Sequence, residues 1–93
     1  MSLPSVEILE ARHNFPCAYT FKVIGSTDDN FLARVIAAVR DELQMDIDPD
    51  YSMRSTKTGA HIAITLEPEC KSPQQVLAVY SRLSGMNGIV MLL

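Results

Sequence analysis

Residues 15–31 read FPCAYTFKVIGSTDDNF, and the fold turns on how this stretch is parsed. From Ala18 the side chains alternate: Tyr19, Phe21 and Val23 point one way, Thr20, Lys22 and Ile24 the other, the period-two pattern of a half-buried strand. After Gly25 come Ser26, Thr27 and Asp28, each a residue type that caps helices, and then Asp29 and Asn30. Phe31, Leu32, Val35, Ile36, Val39 and Leu43 then recur at helical spacing, with Arg34, Arg40, Asp41 and Glu42 on the wet side. A strand therefore runs through a short polar loop into an amphipathic helix.

Working outward, the DIDPDY segment is expected to stop the helix, because Pro49 disfavours helical geometry at Asp48. YSMRSTK (51–57) and AHIAITLE (60–67) alternate as two strands joined around Thr58 and Gly59, a short hairpin that Pro68 ends. Ser72, Pro73, Gln74 and Gln75 mark a helix start: a serine cap, proline at the first helical position and glutamine at the capping-box position. Val76, Leu77, Tyr80 and Leu83 form its buried stripe, and Gly85 is placed to terminate it in a left-handed conformation. GIVMLL closes the chain as a last strand. At the other end, residues 4–14 carry Val6, Ile8 and Leu9 among charges and suit one or two helical turns after Ser5. The expected organisation is an N-terminal arm, residues 1–14, and one domain, residues 15–93. Right-handed crossovers turn the order strand, helix, strand, strand, helix, strand into an α+β split βαβ plait. This is a ferredoxin-like four-stranded antiparallel sheet, spatial order 4-1-3-2, with two helices on one face.

Ninety-three residues with 47% hydrophobic and 20% charged content bound one small core. No apolar run approaches the roughly 20 residues that span a bilayer, and no signal peptide is evident, so a cytoplasmic chain is expected, without membrane partners. "MSL" at the start is given no weight. Two cysteines are too few for a disulfide scaffold. A net charge of −3 and a pI near 5.2 lack the basic footprint that nucleic acid demands.

Phe15-Pro16, Lys22-Val23-x-Gly25, the acidic helix start, a Ser-x-Lys turn before the third strand and the short apolar end of the chain give a further pointer. Over residues 15–93 the sequence resembles the YbeD-like family of small bacterial proteins of unknown function. That resemblance implies an ACT-like fold, the ferredoxin-like regulatory module that often binds amino acids at subunit contacts. It also implies a non-enzymatic regulatory or interaction role linked to lipoate metabolism. The chain departs from the pattern at Ala60 and His61, where the family has an aromatic residue and a serine, and at Asn30, where an ACT loop has glycine.

Gly25, Ser26, Thr27, Asp28, Asp29 and Asn30 are the candidate ligand-binding loop, since a plait usually carries its chemistry there; the competing reading is a capped helix start. The loop lacks the arginine and glycine-rich cradle of an acylphosphatase, and the chain has no Cys-x-x-Cys for a metal chaperone. Tyr19 and Phe21 are expected to face the helices and not RNA. A phosphate about 5 Å from Asp28 or Asp29 would meet roughly 1 to 3 kcal/mol of repulsion per carboxylate. That exceeds the roughly 0.3 to 1 kcal/mol that a helix dipole supplies, so an ammonium or a peptide suits the loop better.

Asp46, Asp48 and Asp50 alternate as an EF-hand loop opens, yet Tyr51 and Lys57 stand where glycine and glutamate belong, which leaves an acidic connection. Cys17 and Cys70 flank neighbouring strands and are expected as reduced thiols, a disulfide or a zinc site with His13 being the alternatives. No metal and no cofactor is expected. Lys22, Arg54 and His61 are placed on the sheet face away from the helices, beside Thr20, Ala63 and Thr65, as a solvated surface or a partner-binding face. The final strand, Ile89, Val90, Met91, Leu92 and Leu93, is an uncharged edge that needs cover, either from the arm or from another chain. The function these features favour is an ACT-like protein-interaction module, a homodimer or docked on a partner enzyme through a sheet edge or face. A small-molecule sensor is the alternative, and an acylphosphatase-like hydrolase a weaker one.

Overall fold

The structure, a computed structural model, describes residues 3–93; Met1 and Ser2 of the arm, most of "MSL", lie outside the described residues. Its elements are α1 (Val6–Arg12), β1 (Cys17–Ala18), β2 (Phe21–Ser26), α2 (Phe31–Glu42), β3 (Tyr51–Ser55), β4 (His61–Leu66), β5 (Glu69–Cys70), α3 (Pro73–Ser84) and β6 (Ile89–Leu92). Four strands form an antiparallel sheet in the order β3-β4-β2-β6, the plait order expected from the sequence. The alternation decides the faces: Phe21, Val23 and Gly25 of β2 and Ile62, Ile64 and Leu66 of β4 are buried toward the helices. On the helix side they meet Phe31, Val35 and Val39 of α2 and Val76, Val79 and Leu83 of α3. In α3 Val79 is fully buried alongside Val76 and Leu83, while Leu77 is only partly covered.

Five local expectations are corrected. The first strand is broken, because β1 leaves the sheet to pair with β5, Cys17 opposite Cys70. Tyr19 still donates to the Pro68 carbonyl at 3.0 Å, but proline has no N–H to return, so the ladder is interrupted there. The start of α2 is capped by neither Ser26, Thr27 nor Asp28. Asp29 (φ 59°) and Asn30 (φ 54°) instead turn the chain in left-handed geometry, and Asn30 makes no side-chain cap.

The same helix ends before Pro49 acts. Gln44 is left-handed (φ 53°), its N–H reaches the Asp41 carbonyl at 3.2 Å, and the Met45 N–H reaches Arg40 at 2.9 Å. This is a Schellman closure with glutamine in the usual glycine place. Finally, Gly85 is right-handed (φ −89°), and the left-handed glycine is Gly88 (φ 98°), at the entry to β6. The hairpin also closes earlier than expected: β3 ends at Ser55, and Thr56 N–H bonds the His61 carbonyl at 3.0 Å.

The arm folds as expected, with Ser5 Oγ accepting from the Ile8 N–H at 3.2 Å. It docks on α3, and Leu9, 2% exposed, joins the core.

Gly25 has a steric reason. A Cβ built there would lie 2.4 Å from the Phe31 ring and 2.6 Å from the Gly88 carbonyl oxygen. Gly25→Ala is therefore expected to lower stability by about 1–3 kcal/mol through overpacking. Urea unfolding of the two proteins checks this, and an unchanged midpoint would show that the ring moves aside freely.

Candidate functional site

The candidate loop is knitted to its surroundings. Gly25 lies under the Phe31 ring, so its backbone faces no open space. Ser26 Oγ accepts from the Asp28 N–H at 3.0 Å, and Thr27 Oγ1 reaches the Gly59 carbonyl at 3.5 Å. Arg34, one turn into α2, donates from Nε to the Asp29 carbonyl at 2.9 Å and from Nη1 to the Asn87 carbonyl at 3.1 Å. Its guanidinium also lies 5.6 Å from the Phe31 ring centroid and 3.8 Å from the Asp29 carboxylate. Sequence reasoning left Arg34 on the wet side of the helix; its tie to the loop before β6 depends on a contact that no local pattern signals. The polar groups of the loop are spent largely on shaping the turn, while the carboxylates of Asp28 and Asp29 stay exposed.

The other acidic segment is likewise engaged. Asp48 takes a 2.7 Å ion pair from Arg40, and no three His, Cys, Asp or Glu residues gather into a metal-sized group among the described residues. The His13 ring packs at a tilt against Tyr19, centroids 5.0 Å apart, and Tyr19 shares a 3.2 Å hydroxyl contact with Tyr80.

The bare sheet face assembles as the alternation implies: Lys22 opposes Thr65, Arg54 opposes Ala63 and His61 opposes Ser26. His61 is half-buried, not freely exposed, and its N–H and carbonyl are held by Thr56. At one edge of the sheet, β6 has no strand on its outer side among the described residues. Ile89 and Leu92 turn inward, while Val90 (60%), Met91 (46%) and Leu93 (59%) are exposed. Leu93 extends the pairing with Lys22 in both directions, at 2.8 and 3.1 Å, so the strand is firmly seated on β2. A bulge between Ile24 and Gly25 leaves Val90 outside the register.

A family model described as a protein of unknown function, DUF493, matches residues 10–93. The chain belongs to that family. It is similar to a UPF0250 protein of Shewanella sp. (strain ANA-3), Shewana3_0990, with 28% identity over 75 residues, 81% of this chain and 83% of that one. A UPF0250 protein of Shewanella oneidensis is 27% identical over the same shares. The solution structure of HP0495 from H. pylori superposes with a TM-score of 0.65 at 13% identity, covering 100% of this chain and 97% of the other. This DUF493 protein is thus a YbeD-like small bacterial protein with the ferredoxin-like plait that the sequence predicts. No helix among the described residues is long and apolar enough to cross a membrane.

Both thiols are free, and they stand cross-strand from one another. Burial, with smaller contributions from Cys17 and Glu69, pushes the Cys70 thiol from 9.0 up to about 11. The native state then holds a proton that the unfolded chain releases. Stability from this group is complete below about pH 9 and falls as the pH rises toward 11. Tyr80, raised by burial and the Tyr19 hydroxyl, acts in the same direction. Thermal melts between pH 8 and 11 should show this fall, shallower in Cys70→Ala; an equal slope in both proteins would remove Cys70 as a cause. At pH 8, without reductant, Cys17 should react with a thiol reagent well before Cys70, whose thiolate fraction is lowered about a hundredfold.

Proposed function

We propose that this DUF493 protein is a non-enzymatic, ACT-like protein-interaction module that docks a partner through the β6 edge. The observation that carries the reading is the uncovered apolar edge. Val90, Met91 and Leu93 stand exposed on a terminal strand with no charge, and the arm that would have shielded it docks on α3 instead. An unpaired strand is a ready template for another strand, and exposed apolar side chains on it add area to the contact. The resemblance to YbeD-like proteins directs the search to metabolic enzymes of the lipoate pathway, with the protein acting as a regulatory subunit in the cytoplasm.

A second reading, a sensor of a small amino-acid-like molecule, is favoured by one feature. A groove of about 450 Å³ lies between α2 and the start of β3, lined by Leu32, Ala33, Ile36, Ala37, Arg40, Asp48 and Tyr51. Its volume is in the range of small-ligand sites, and its Arg40–Asp48 pair presents both signs of charge.

Val90→Lys places a charge on the exposed edge without touching the core. Affinity capture from native lysate, followed by light scattering on the eluate, should recover a discrete hetero-complex with the natural protein and lose it with V90K. Recovery of both proteins free of any partner would overturn the docking reading. A thermal-shift panel of amino acids and lipoyl compounds tests the sensor, which requires a raised melting temperature.

A further inference from the structure

The opposite edge of the sheet has different chemistry. Every residue of β3 is exposed. The Glu67 N–H donates to the Asp50 carbonyl and the Thr56 N–H to the His61 carbonyl, both at 3.0 Å. These two bonds set the parity of the ladder: Asp50, Ser52 and Arg54 turn their backbone groups to β4, so Tyr51, Met53 and Ser55 turn theirs to the open edge. Tyr51 and Met53 share the helix side with their partners Leu66 and Ile64, yet they remain 47% and 46% exposed, and Tyr51 lines the groove between β3 and α2. Asp50, Ser52 and Arg54 share the bare face. Among the described residues Arg34, Arg40 and Arg82 are in ion pairs, whereas Arg54 and Asp50 are in none.

We propose that β3 pairs antiparallel with β3 of a second copy across a two-fold axis at Ser52. The strand's own chemistry selects that register. Only Tyr51, Met53 and Ser55 offer outward hydrogen bonds, so odd-numbered residues must oppose odd-numbered ones. Centring the axis on Arg54 sets the two guanidinium groups against each other. Centring it on Tyr51 sets Met53, in the middle of the strand, against Pro49, which has no N–H to give, whereas an axis at Ser52 brings Pro49 only against Ser55 at the strand's end. Centring it on Met53 leaves Arg54 opposite Ser52 and still without a counter-charge.

With the axis at Ser52, Tyr51 of each copy exchanges backbone hydrogen bonds with Met53 of the other, and the ring lies beside the thioether, a favourable contact. Arg54 of each copy stands opposite Asp50 of the other, twice over. The pair occupies a non-hydrogen-bonded position, where Cα atoms approach to about 4.5 Å and side chains are closest. The partner is thus a second copy of this chain, selected by charge complementarity. The pairing does not depend on β6, which would remain open at both ends of the continuous sheet.

Analytical ultracentrifugation over a dilution series tests it with the natural protein, R54D, D50R, R54D/D50R and V90K, each confirmed as folded by circular dichroism. A dimer is expected, with each single reversal weakening it roughly tenfold or more, since two attractions become repulsions. The double reversal should restore it, and V90K should leave it unchanged. Monomer at all concentrations, indifference to the reversals, no restoration in the double variant, or loss in V90K would each overturn the proposal. The register has a separate readout: in a Cys17→Ser background, Ser52→Cys should form an intermolecular disulfide on oxidation, while Ser55→Cys should not. The reverse result would overturn the placement of the axis.

Discussion

Phe31 lies against the backbone of two glycines, and the geometry of the whole helix side depends on that contact. Its ring leaves no room for a side chain at Gly25 of β2 and packs tightly on Gly88 before β6, whose φ of 98° already disfavours any other residue, and Arg34 covers the outer side. One aromatic ring thereby fixes three things: where α2 begins, how far it stands from the sheet, and where the last loop must enter. Two consecutive non-glycine residues in left-handed geometry, Asp29 and Asn30, are unfavourable on their own. The buried ring and the two carbonyls that Arg34 holds stabilise the turn against that cost. The loop is therefore the product of packing beneath it, which is why so many of its polar atoms face one another.

The sheet order was legible because it rests on periodicity. Alternation in residues 18–24, 51–57 and 60–67, and the helical stripes between them, determine which faces must be buried, and few topologies satisfy all of them at once. What could not be read locally was where tertiary contacts override residue preference. Ser26 and Asp28 are good capping residues, but a helix started there would carry Phe31 away from the two glycines. Gln44 ends α2 where a glycine would have signalled it, and Gly85 looks like a terminator although the left-handed turn is needed at Gly88. The break between β1 and β2 follows from the donor that Pro68 lacks on the opposite strand, which no inspection of residues 17–26 alone can supply.

The candidate surfaces divide the same way. An uncharged strand at the end of the chain is visible in composition, so the β6 edge is plain from Ile89 to Leu93. The β3 edge is not, because Tyr51 and Met53 alternate with Ser52 and Arg54 as in any half-buried strand. Only the folded chain shows that its apolar side stays exposed, with Tyr51 and Met53 about half open to solvent at the sheet's edge. Arg34 was equally hidden, since an arginine at a polar helix position carries no sign of carbonyls waiting in a distant loop.

The two edges also differ in what they can discriminate. Side chains along β6 are all apolar, so register against a partner strand is set only by shape and by the bulge at Val90, which interrupts a smooth ladder. Such an edge accepts any strand whose own contour fits it, and selectivity must come from the partner. Along β3 the positions of one acid, one base and one proline make a single register preferable, which is the property a strand needs to choose its own copy over others. A plait has two edges by construction. In this chain the ungated one is apolar and the charged one is self-complementary, so occupying the second leaves the first free.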